Sequence, residues 1–222
     1  MKFVHILVEG QTEYEFVNEL LKDYFHSIGI YLNAIIIKTK NSIGGKPAYR
    51  GGIVSYYKVQ SAIVDILRDS GVSLVTTMID YYHLPTDFPN FNDKKAKTGA
   101  LYDRVDYLET KFSDAINHHK FYPYFSIHEF EALLFAKPEI IAQEIPNLNP
   151  NILKTLQDIK ARYTNPEHIN LDIPPAKHIS NLIPEYQKAQ DGLLIAIEIG
   201  IDTMRKECPH FDSWLTKIES LT

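Results

Sequence analysis

Apolar positions follow two rhythms along the chain. Phe3 to Val8 is a short, nearly unbroken apolar run rich in β-formers. A Gly10-Gln11-Thr12 turn follows, and Phe16, Val17, Leu20, Leu21 and Phe25 then recur at helical spacing, so the segment predicts strand, turn, helix. Thr12 and Glu15 have the spacing of a capping box, which sets the helix start at Glu13, and Gly29 ends it. Tyr31 to Lys38 predicts a second strand, with Ala34 to Ile37 continuously apolar as buried parallel strands are. Residues 39–52 are polar and glycine-rich and predict a loop. Val54 to Asp69 predicts a helix, and Ser73 to Ile79 a third strand that delivers Asp80. The stretch Tyr81 to Lys97, with Pro85 and Pro89, predicts a loop of a length that usually has a function. Leu101 to Asn117 predicts a charged helix. Phe121 to Ile127 predicts a fourth strand that passes into a helix over Glu129 to Phe135. Further helices are predicted over Asn151–Tyr163, Tyr186–Ile199 and Phe211–Leu221, with a proline-rich link from Asn165 to Pro175.

Strands alternating with helices predict an α/β fold, a central, mostly parallel sheet of Rossmann-like kind flanked by helices. Residues 1–135 are expected to form this core. Residues 136–222 are expected to form a mostly helical C-terminal extension packed on it as a cap, the whole being one structural domain. The chain has 222 residues, 45% of them hydrophobic and 23% charged, which suits a well-buried globular core. One cysteine, Cys208, excludes an internal disulfide and a multi-cysteine zinc site, and a cytoplasmic setting is expected. The amino terminus reaches Glu9 before a signal-peptide core is complete, and the most apolar later run, Gly192 to Ile201, contains Glu198 and is too short to span a bilayer. No membrane partner is expected. The net charge of −5 argues against nucleic-acid binding by charge alone.

The candidate chemistry is acidic. Glu9 ends strand one, Asp80 ends strand three, and Glu129 and Glu131 follow strand four. In a parallel sheet the carboxyl ends of the strands share one edge, where such folds bind ligands. Carboxylates gathered there repel one another unless a cation joins them. Hard oxygen ligands suit Mg²⁺ or Mn²⁺, for which Glu9 and Asp80 are sufficient. The alternative is that these are solvated acids at strand ends.

The segment Val8-Glu9-Gly10-Gln11-Thr12-Glu13 resembles the first motif of toprim domains, and Asp80 resembles the first acid of the second motif. The segments Met78–Pro89, Ser126–Phe135, Asn165–Asn170 and Cys208–Leu215 extend the likeness over nearly the whole chain. Together they resemble a bacterial family filed as domain of unknown function 4276 and described as toprim-like. Toprim relatives include topoisomerases, primases and the overcoming-lysogenization-defect nucleases. The resemblance implies a toprim-like, metal-dependent nuclease acting on DNA or RNA, with Glu9 as acid/base or metal-linked residue and Asp80 as metal ligand. It implies association with an ATPase in antiviral (phage) defence, and a homodimer is a further expectation. One departure stands out: the usual second motif is Asp-x-Asp, and position 82 is Tyr82. Asp87, Glu129 or Glu131 are the candidates to supply the missing carboxylate.

Lys177 follows Pro174-Pro175-Ala176, where the family segment also has a lysine, and is a candidate to stabilise charge on a phosphate. Lys46 and Arg50 in the glycine loop are candidate phosphate contacts, although Gly44-Gly45-Lys46 lacks the spacing of a Walker loop. His128, three residues before Glu131, is a candidate to position water or phosphate from the same helix face. Tyr81, Tyr82, Phe88 and Phe91 crowd the segment after Asp80, either to stack on bases or to pin the loop. Lys94, Lys95 and Lys97 read as a solvated basic turn. Two other functions remain open: a non-catalytic toprim-like module that docks on an ATPase, and a phosphotransfer or nucleotide-hydrolysing enzyme with a small substrate.

Overall fold

Strand β1 (Lys2–Val8) pairs in parallel on both its edges, with β2 (Ile30–Ile36) on one side and β3 (Leu74–Asp80) on the other. This structure is a computed structural model, which describes residues 1–37, 55–143, 150–169 and 173–222. The chain divides into two units, residues 1–125 with 218–222, and residues 126–217.

The first unit holds the sheet. Between β1 and β2 runs a helical segment made of α1 (Gln11–Phe16), a π-helical turn (Val17–Leu21) and α2 (Lys22–Ser27). Phe16, Val17, Leu21 and Phe25 are fully buried along it. The five-residue step from Phe16 to Leu21 matches the wide turn, and Lys22 N–H donates to the Val17 carbonyl five residues back. The helix starts at Gln11 behind Gly10, two residues before the capping-box position. Glu15 there accepts from the Gln11 side chain at 2.9 Å, while Thr12 and Glu13 are buried. Gly29, at φ +81°, turns the chain into β2.

Helix α3 (Tyr56–Leu67) leads to β3. All seven residues of β3 are buried, as expected of a strand covered on both faces. A 3₁₀ turn (Tyr81–His83), α4 (Lys94–Lys97) and α5 (Leu101–Ile116) follow. The fourth strand is broken where one strand was predicted. It consists of β4 (Phe121–Tyr122) and β5 (Phe125–Ser126), both beside β3. Pro123 interrupts it because proline has no N–H to give a ladder. The Thr77 hydroxyl takes over the lost pairing: it donates to the Tyr124 carbonyl at 2.8 Å and accepts the Tyr124 N–H at 3.0 Å. The sheet is thus five-stranded, in the order β2-β1-β3-β4, with β5 also on β3 and the β1, β2, β3 and β4 pairings parallel.

The second unit is helical: α6 (Glu131–Leu134), α7 (Pro138–Gln143), α8 (Pro150–Lys160), α9 (Pro175–Leu182), α10 (Lys188–Ile199), α11 (Ile201–Glu207) and α12 (Pro209–Glu219), whose last two residues belong to the first unit. The proline-rich link contains a 3₁₀ turn, Pro166–His168, and Glu167 within it is 3% exposed. Its carboxylate accepts the N–H groups of His210 and Phe211 at 3.0 and 2.9 Å, satisfying donors that the first turn of α12 leaves without partners. Cys208, Phe211 and Trp214 pack in the core of this unit. Among the described residues no helix is long and apolar enough to cross a membrane.

The Thr77 bridge predicts a specific loss. Thr77→Val keeps the shape but orphans a buried N–H and carbonyl, and should cost about 1–3 kcal/mol in denaturant unfolding. Thr77→Ser, which keeps the hydroxyl, should lose less; equal losses in the two variants would show that the hydroxyl bonds contribute little.

Candidate functional site

The strand order reverses at β1. The chain leaves β1 for β2 on one side and comes back to β3 on the other, so a crevice opens outside the carboxyl ends of β1 and β3. Val8 pairs with Met78 in register, which puts Glu9, one residue past β1, level with the last residues of β3. Glu9 Oε2 accepts the Asp80 N–H at 3.3 Å. One turn later the chain presents His83, whose Nδ1 lies 3.8 Å from Asp80 Oδ2. Ligand atoms of Glu9, Asp80 and His83 all fall within 4.8 Å of one another. The Asp80 side chain is 11% exposed and that of His83 50%, so the group is anchored in the sheet and open on one side.

This donor set suits a divalent cation. Ligands about 2.1 Å from an ion stand at most about 4.2 Å apart, so a small closure of the group is enough. Two carboxylates give the hard oxygens that Mg²⁺ and Mn²⁺ take, and the imidazole adds a nitrogen that favours a transition-metal ion over Mg²⁺. His83 was not among the residues the sequence reading selected. The signal was present: with Tyr82 at the usual second-acid position, the next ligand-type side chain is one residue further on, at i+3 from Asp80. Asp87, another candidate for the missing acid, accepts the Tyr56 N–H at 3.0 and 3.2 Å at the start of α3.

The aromatic residues after Asp80 separate into two groups. Phe88 is 3% exposed and packs edge-on against Tyr56, Phe112 and Phe125, so it pins the loop. Tyr81 is half-buried, and its hydroxyl donates to the Ala96 carbonyl at 3.4 Å. Tyr82 stays 60% exposed.

Glu129, Glu131, His128 and Lys177 belong to the second unit. His128 is buried and precedes α6, which begins at Glu131 and not at Glu129, so His128 and Glu131 do not share a helix face. Glu129 Oε2 accepts the Ala176 N–H at 3.1 Å in the first turn of α9. Glu129, Pro174, Lys177, Ser180, Tyr186 and Lys188 line a pocket of about 420 Å³. Lys177 is exposed at its edge. Glu131 is 0% exposed, and Lys188 Nζ stands 2.9 Å from its Oε2. Burial pushes the Glu131 carboxyl up to about 6, against the pull of Lys188. Burial and the Glu131 charge also raise the Tyr186 phenol. Gly192 of α10 admits that phenol, since a Cβ there would lie 2.8 Å from its oxygen. Lys46 and Arg50 lie outside the described residues.

Residues 8–219 match the family described as a domain of unknown function (DUF4276). Among curated proteins none matches. Solved structures of the C-terminal region of the Xanthomonas campestris pv. campestris OLD protein are similar at a low level. The one phased with iodine is 17% identical with a TM-score of 0.45, covering 98% of this chain and 94% of that chain. The one phased with platinum is 15% identical with a TM-score of 0.42, covering 100% and 98%. The architecture described above rests on the sheet itself.

The buried carboxyl of Glu131 predicts a pH dependence. With its folded value near 6 and the ordinary value 4.5, the folded chain binds more protons than the unfolded chain between them. Stability from this group therefore falls as pH rises from about 4.5 to 6, by up to about 2 kcal/mol at 1.36 kcal/mol per unit. Urea unfolding of wild type and Glu131→Gln in EDTA across that window should show a falling component only in the wild type. Identical profiles would mean that the carboxyl is ionised normally in the fold.

Proposed function

The chain belongs to the DUF4276 family, and we propose that it is a toprim-like, divalent-metal-dependent enzyme that cleaves phosphodiesters in DNA or RNA. The meeting of Glu9, Asp80 and His83 outside adjacent parallel strands supports this reading most directly. A cation bound there would polarise a phosphoryl oxygen and lower the pKa of a coordinated water. Glu9 and Asp80 hold it with opposite charge. The Asp80 N–H fixes the Glu9 carboxylate, so the main chain of β3 orients the side chain that follows β1. His83, one residue beyond the position of the second acid of an Asp-x-Asp pair, would supply the third ligand and tilt the site from Mg²⁺ toward Mn²⁺.

Glu129, Glu131 and Lys177 are, in the same proposal, further acid/base and phosphate-stabilising candidates on the second unit. Lys46 and Arg50 are candidate phosphate contacts. The family resemblance extends the proposal to a partner ATPase.

Thermal unfolding across Mn²⁺ and Mg²⁺ titrations tests the reading. At 100 times the dissociation constant a native-state site adds about 2.7 kcal/mol. Mn²⁺ should stabilise the wild type at lower concentration than Mg²⁺. Asp80→Asn and Glu9→Gln should weaken the response to both ions by more than about 100-fold, since loss of even an outer hydrogen-bond partner of a ligand costs about 10–100-fold. His83→Ala should lose the Mn²⁺ preference and keep a Mg²⁺ response. Cleavage of a labelled oligonucleotide should follow the same order. Indifference to both ions would put the reading of a non-catalytic module that docks on a partner ahead of the metal-dependent one.

A further inference from the structure

We propose that residues 81–97 form a contact surface for single-stranded nucleic acid, in which the Tyr82 ring stacks on an unpaired base and Lys94, Lys95 and Lys97 meet the neighbouring phosphates. This names the substrate form for the site above, and it rests on that reading for the chemistry at Asp80, not for the binding.

Exposed single aromatics are common on protein surfaces, but the place of this one is unusual. Tyr82 lies between two residues of the Glu9–Asp80–His83 group, on a 3₁₀ turn that follows a fully buried strand. Its neighbour Tyr81 points its hydroxyl at the Ala96 carbonyl, and Phe88 is locked in the core. The turn is therefore held firmly while the Tyr82 ring stays 60% exposed. Its contact with His83 is edge-type, with centroids 5.2 Å apart and planes at 71°. Such a contact covers at most one face of the tyrosine, so a face remains for a base.

The same Tyr81 bond ties the turn to α4, where Lys95 and Lys97 flank Ala96. Lys97 Nζ sits 3.4 Å from the Phe91 ring centroid, and Lys95 Nζ 6.0 Å from that of Tyr107. Contacts with ring faces position an ammonium without cancelling its charge. Among the described residues Lys94, Lys95 and Lys97 form no ion pair. The two aspartates between Tyr81 and Lys97 are engaged elsewhere: Asp87 by the Tyr56 N–H, and Asp93 by Asn90 and Tyr107 at 2.8 and 2.6 Å. An exposed aromatic ring on a turn that is tied to a lysine-bearing helix offers the two kinds of contact that hold single strands, because every base offers a π-face once it is unstacked. With a net charge of −5, charge alone would hold a polyanion poorly, so the proposed contact needs the stacking as well as the three lysines. An acidic peptide would use the lysines and have no need of the ring.

The test is fluorescence anisotropy of labelled 12-mers with the whole chain in EDTA, which removes any role of a metal. Probes are single-stranded DNA, single-stranded RNA, the DNA duplex, and a single strand of abasic sites. We expect single strands to bind best, with the tighter of DNA and RNA identifying the source of the substrate. Tyr82→Ala should weaken single-strand binding by about 5- to 150-fold, as loss of one stacked base does, and Tyr82→Phe should bind as wild type. Replacing Lys94, Lys95 and Lys97 by alanine should lower the slope of log affinity against log salt by about 2, at about 0.7 per phosphate contact. The proposal is overturned if Tyr82→Ala binds like wild type, or if the abasic strand or the duplex binds as well as the intact strand. Single-strand binding without metal stabilisation would leave this surface standing and remove the metal-dependent reading.

Discussion

Parallel pairing of β1 on both edges is the constraint from which the rest of the first unit follows. A strand paired on both edges cannot be reached by a hairpin from parallel neighbours, so the chain must cross over to β2 and later to β3. Those crossovers require helical segments, and they leave a crevice where the two paths part. Glu9 and Asp80 sit in that crevice because they are the residues at which apolar strand ends. The bond from the Asp80 N–H to Glu9 is then a consequence of register: a slip of one residue would turn Asp80 to the other face.

The second unit depends on buried polar groups that satisfy one another. Glu167 serves the start of α12 and Glu129 the start of α9, so acids do there what serine or threonine does at many helix starts. Glu131 differs from both. It has no exposure and a single close counter-charge, and beside it stands a phenol that also resists ionising. Burial favours the neutral form of both groups. The glycine at 192 shows how closely the corner is packed, since even a methyl group would meet the phenol.

Much of the first unit was legible in the sequence because its signals are local. The apolar runs at Phe3–Val8 and Ser73–Ile79 gave β1 and β3 within a residue or two, and the acids at their ends marked the crevice. The misses were interactions between distant residues or between unlike roles. The predicted strand over Phe121–Ile127 was broken by Pro123, and only Thr77, far away in sequence, reveals how the break is satisfied. Thr12 has the right spacing for a capping box, yet the helix starts at Gln11 behind Gly10, with Thr12 and Glu13 buried inside its first turn. His83 lies one position beyond the second acid of an Asp-x-Asp pair, so the motif does not mark it. Helices α7 and α11 carry too few turns to show a period. The partner of Glu131, Lys188, has no sequence signature at all.

The π-helical turn at Val17–Leu21 has a consequence for how this region tolerates changes in length. A π turn is the mark of one residue inserted into an α-helix, retained because the surrounding packing accepts it. Each residue of a helix advances it by about 100°. Deleting one residue between Val17 and Leu21 would let the turn relax to α-helical form and leave α1 and α2 in phase, because the wide turn takes up the extra residue locally. Phe16 on one side of the turn and Phe25 on the other would both stay on the core face. The same deletion in the exposed turn around Ser27 would have little reach toward Glu9. The wide turn thus acts as a phase buffer: it holds one residue more than an α-helix would, without turning the buried face of α1 away from that of α2.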